Sequence, residues 1–292
     1  MKTIILYLLL LSSSSSAFAC YDENLSDRAN FDNCLVEAEQ GDLYAQHYVG
    51  ILFYDGIGVA QDYKEGLKWL RKAAEQGDKI SQTLIGDMYL YGNNVDQDYK
   101  EAAKWLRKAA EQGIAEAQFK LGLMYNQGRG VTLDDDEAFK WFRKAAEQGL
   151  ANAQYMLGLS YDEGAGVAQD YKEAVKWLKE AAEQGVAEAQ NKLGHMYKNG
   201  AGVAQDYKEA VKWLKEAAEQ GYAHAQSELG LMYGTGKGVI EDYTQAHMWS
   251  NIAAANGHMD AIKNRDILAN HMTPSQIEKA QGMAREWMAK HQ

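Results

Sequence analysis

A chain of 292 residues is long enough for a sizeable core, and one proline, Pro274, beside 27 glycines suits helices parted by Gly-marked turns. The formal net charge of −11 repels phosphate backbones and anionic head groups, which argues against nucleic acid and membrane surfaces as partners. No β-branched run alternates as a strand would.

In chain order, residues 1–19 read as a secretory signal. Lys2 precedes an apolar run from Ile4 to Leu11 that is too short to span a bilayer, and Ala17-Phe18-Ala19 matches the small-x-small cleavage pattern. Cleavage near Ala19 would remove only the charge of Lys2, taking −11 to −12. The expected location is therefore the periplasm or the cell exterior, with no membrane insertion. Residues 20–40 form an N-terminal cap, a half-repeat running into Ala38-Glu39-Gln40-Gly41. Cys20 and Cys34 lie here. Export favours a Cys20–Cys34 disulfide. Two other readings stand beside it: Cys34 as a small buried hydrophobe, and Cys20 lipidated at the cleavage point, where Ala17 departs from the Leu that a lipoprotein signal prefers.

Residues 41–256 repeat. Trp69, Trp105, Trp141, Trp177, Trp213 and Trp249 stand 36 apart, and 167–185 is identical to 203–221. Six units follow: 41–76, 77–112, 113–148, 149–184, 185–220 and 221–256. Each reads as helix A, a Gly-rich turn and helix B. In the third unit helix A falls at about 115–126, the turn at Gln127 to Asp134 and helix B at about 135–148. Most B helices open with Asp-Tyr-x-Glu, as at Asp98 to Glu101, a capping box, and close at Ala-Glu-Gln-Gly, where glycine suits the terminating conformation. Ala174, Trp177, Leu178, Ala181 and Ala182 make one apolar stripe on helix B. Residues 257–292 supply capping helices: Thr273-Pro274-Ser275-Gln276 is a second capping box, followed by Ile277, Ala280, Ala284, Trp287 and Met288 on one face.

The stretches AEAQFKLGLMYNQGRGVTLDDDEAFKW and AEAQNKLGHMYKNGAGVAQDYKEAVKW resemble the Sel-1-like repeat family, a relative of the tetratricopeptide repeat, over about residues 41–290. The resemblance implies an all-α, right-handed α-solenoid with A helices lining its concave face. The repeated motif encodes packing, so it says little about function.

Information about a partner belongs where the copies differ. In helix A those positions are the fourth, seventh, eleventh, fourteenth and fifteenth of each unit, a single helical face. Tyr44, His47, Tyr54, Tyr91, Phe119, Leu123, Tyr155, Leu159 and His195 are the candidate partner-binding residues, with the competing reading that several of these rings are internal core. The histidines occupy different unit positions and no zinc-ligand spacing occurs, so no metal or cofactor is expected. Neither Gly-x-Ser-x-Gly nor Ser-x-x-Lys is present, so no catalytic residues are assigned. Cysteine-rich relatives associated with β-lactams carry a disulfide in every repeat, and here no Cys follows Cys34. The sequence thus predicts a monomeric, non-catalytic protein-binding scaffold. It resembles exported family members of two kinds: immunity proteins that neutralise a secreted effector enzyme, here a basic one, and secreted host-interaction factors. An enzyme acting on β-lactams or cell-wall fragments is the least favoured reading.

Overall fold

The computed structural model describes residues 20–291, in two compact units that divide after Leu133. The signal segment expected at 1–19 lies outside the described residues. The first unit holds α1 (Asp27–Glu39), α2 (Leu43–Asp55), α3 (Tyr63–Glu75), α4 (Lys79–Tyr91), α5 (Tyr99–Glu111) and α6 (Ala115–Gln127). The second holds α7 (Asp135–Glu147), α8 (Ala151–Glu163), α9 (Tyr171–Glu183), α10 (Ala187–Asn199), α11 (Tyr207–Glu219), α12 (Ala223–Thr235), α13 (Tyr243–Ala255), α14 (Met259–Ala269) and α15 (Pro274–Lys290). Within each unit consecutive helices pack on one another, except at the end, where α15 packs on α13, and no strand occurs among the described residues. The chain is an all-α repeat array.

Local chemistry sets the ends of these helices. Asp62, Asp98, Asp170 and Asp206 each accept amide hydrogen bonds from the second and third following residues and so cap α3, α5, α9 and α11. The return half of the expected box is not formed there. Glu65, Glu101 and Glu173 turn instead to the lysine three residues on, because an ammonium outbids a backbone amide for the carboxylate. The full reciprocal box forms at Thr273 and Gln276, where the side chain is a neutral amide with no charge to pair with Lys279 three residues on.

Between the helices of each pair the turn lies close to the preceding B helix. A Cβ on Gly130 would sit 2.0 Å from the Tyr99 carbonyl oxygen, and φ there is +71°, so glycine is favoured on both counts. In the second repeat Asn94 stands at this position with φ 60°. Its side chain instead donates to the Tyr54 hydroxyl at 2.7 Å.

The core is the repeated apolar stripe. Trp69, Trp105, Trp141, Trp213 and Trp249 are buried, with Leu70, Leu106, Leu178 and Leu214 beside them. A relay of glutamines runs along it. Gln46 donates to the Ala38 carbonyl at 3.1 Å and accepts from Gln76 at 2.8 Å; Gln76 also donates to the Gly41 carbonyl. Gln82 with Gln112, Gln154 with Gln184 and Gln190 with Gln220 repeat the contact. In these four repeats one amide thereby satisfies a buried backbone carbonyl and holds a second amide.

Both ends are sealed. Cys20 and Cys34 are disulfide-bonded, Cys34 is fully buried, and α1 packs on α2. At the other end Ala280 and Ala284 of α15 are fully buried in a cluster with Trp249 and Ile252, covered by Met283, Trp287 and Met288.

Candidate functional site

The A helices carry the divergent positions, and burial separates the candidates into two sorts. In the first unit Tyr44 on α2 and Tyr91 on α4 are 43% and 59% exposed. His47, one turn beyond Tyr44, is buried. Its Nδ1 lies 2.8 Å from Ser81 Oγ and 3.0 Å from Asp78 Oδ2, so it ties α2 to the start of α4. Burial would raise the Asp78 carboxyl; hydrogen bonds from His47 and Ser81, together with the charge of His47, outweigh that and hold it at about 2. Tyr54 is half-buried, accepts from Asn94 and meets Tyr63 edge-on at 5.0 Å. Phe119 and Leu123 on α6 are half-buried. Beside them Lys120 reaches back to Asp87 of α4 at 2.7 Å.

In the second unit Tyr155 and Leu159 on α8 are half-buried, and Tyr155 packs against the cluster of Leu178, Leu193 and Trp213. Burial, with the charges of Tyr222, Glu188 and Glu163, pushes the Tyr155 hydroxyl up to about 12. His195 on α10 is half-buried and its Nε2 lies 3.4 Å from Nδ1 of His224 on α12. Lys192 pairs with Asp162 and Lys198 with Glu228, both at 2.5 Å.

The eighth position of each repeat, absent from the sequence-derived face, thus matters: Lys120, Lys192 and Glu228 all stitch one A helix to the preceding one. Its signal was legible, since each stands opposite a residue of the other charge at the eleventh or fourteenth position one repeat earlier. No group of three His, Cys, Asp or Glu side chains among the described residues is arranged to hold a metal ion. No helix among them is long and apolar enough to cross a membrane.

The Sel1 repeat pattern matches six consecutive segments, 43–78, 79–114, 115–150, 151–186, 187–222 and 223–258. This chain belongs to the Sel1 repeat family. In this Sel1 frame each repeat begins with its A helix. The chain is 36% identical to a Sel1 repeat protein from Oxalobacter formigenes, over 82% of this chain and 69% of that one, with a TM-score of 0.67. A protective antigen of uropathogenic Escherichia coli is 28% identical over 91% and 80%, at a TM-score of 0.42. An immunity protein of Pseudomonas aeruginosa is 21% identical over 70% and 82%, also at 0.42; at that value the likeness says nothing about a binding site. No curated protein matches the sequence. Sel1 repeats are in general scaffolds for protein interaction.

Proposed function

We propose that this Sel1 repeat protein is a non-catalytic binding scaffold of the periplasm that neutralises a secreted effector enzyme, and that the A-helix face of its first unit makes the decisive contact. The observation that carries the reading is the exposure of Tyr44 and Tyr91, two large aromatic side chains at positions that differ between otherwise similar repeats. Rigid amphipathic rings of this kind are favoured anchors at protein interfaces. The net charge of −11 steers a basic partner toward the chain. The buried disulfide suits an oxidising compartment.

The test uses the immobilised full chain in periplasmic extract. A single enzyme retained in stoichiometric amount, whose activity vanishes at an equimolar dose of the chain, is the expected result. Retention of many envelope components with no enzyme inhibited, or turnover of a chromogenic β-lactam by the chain itself, contradicts it.

A further inference from the structure

Three histidines of the second unit come from successive A helices: His195 in α10, His224 in the first turn of α12 and His258 at the N-cap of α14. The His195 and His224 rings are 5.1 Å apart, and His258 meets His224 edge-on at 5.4 Å. His195 Nε2 lies 3.4 Å from His224 Nδ1, and that nitrogen lies 3.4 Å from the Asn191 side-chain oxygen. These are long for hydrogen bonds, which for such donors run to about 3.2 Å. The same spacing also fits another geometry. Two nitrogens bound to one tetrahedral zinc at about 2.0–2.1 Å stand roughly 3.3–3.4 Å apart.

The surroundings agree. Glu228 and Asp162, on the same set of helices, are already paired with Lys198 and Lys192. A metal takes the neutral imidazole through its nitrogen lone pair. His258 Nδ1 is buried without a hydrogen-bond partner, so the rung next to the pair is also uncommitted.

We propose that His195, His224 and the Asn191 amide oxygen form a site for a divalent transition metal of the zinc class. Imidazole nitrogens with one neutral oxygen suit zinc, nickel and copper and disfavour magnesium and calcium. Three protein donors leave a fourth position for water. Bound metal would join α10 to α12 and stabilise the second unit by mass action.

The experiment titrates zinc alone into tag-free full-length protein against a chromophoric chelator, while the imidazole C–H resonances are followed by NMR. One zinc per chain is expected, with the His195 and His224 signals moving together. H195Q or H224Q should each weaken binding by on the order of 10-fold or more. H271Q, an exposed histidine outside the cluster, should leave it unchanged. Melting of the metal-free variants at the wild-type temperature confirms that the loss is not unfolding. Wild-type protein that binds no more zinc than the H195Q/H224Q double variant, or zinc that shifts other histidines and spares these two, overturns the site.

Discussion

The two units put different A-helix positions to use. On the first, the fourth and fifteenth positions supply Tyr44 and Tyr91, both exposed. On the second, Tyr155 packs into the core cluster, Lys192 and Lys198 are paired across helices, and His195 faces His224. Divergence between copies therefore has two physical meanings. A residue can differ because it faces a partner, or because it bonds a residue of the adjoining repeat that differs with it. His47 and Tyr44 make the point at closest range: they are one turn apart on α2, yet His47 is buried on Asp78 while Tyr44 faces solvent.

Five substitutions, in four tests, bear on this contrast. The largest effect belongs to the shared core. Trp105→Ala removes a ring that is 2% exposed and should cost roughly 3–5 kcal/mol in chemical denaturation; a loss under 1 kcal/mol would mean the repeated tryptophans do not hold the array. Next comes the disulfide, which separates the units. Cys34→Ser opens a link between residues 14 apart and should cost about 3 kcal/mol. Hydrogen exchange should show faster opening in α1 and α2 and none in α11 to α15.

A third test contrasts two tyrosines. Tyr155→Ser should destabilise by roughly 2–3 kcal/mol because its ring packs against the buried cluster that holds Leu193 and Trp213, whereas Tyr91→Ser should stay within about 0.5 kcal/mol. Equal losses would erase the distinction between the two faces. The fourth concerns Asp78, whose carboxyl lies below its ordinary 3.8. A group depressed on folding contributes stability above its unfolded value and loses it as the pH falls through its folded one. The α2–α4 junction should thus weaken between about pH 4 and pH 2, by about 2 kcal/mol. Asp78→Asn, which keeps a helix cap, should flatten that dependence in acid titrations followed by circular dichroism.

Most of the fold was legible because packing repeats. The tryptophans recur every 36 residues, the terminating glycines mark each B helix, and the Thr273–Gln276 box announces α15. The face was legible only as a spacing. Helical periodicity places Tyr44, His47 and Tyr54 on one side of α2 without telling which of them meets α4. That depends on the partner a neighbouring repeat offers, Asp78 and Ser81 for His47 and Asn94 for Tyr54. The glutamine relay escaped the sequence reading for the opposite reason. Being the same in nearly every repeat, it looked like motif rather than contact.

The most direct measurement compares wild-type protein with the Tyr44→Ser/Tyr91→Ser double variant in both thermal melting and calorimetric titration with the enzyme retained from periplasmic extract. The account predicts melting within a few degrees of wild type and affinity reduced by on the order of 100-fold, two anchors at about 1–2 kcal/mol each. Unchanged affinity, or unfolding of the variant, would place the decisive contact elsewhere or the two rings in the core.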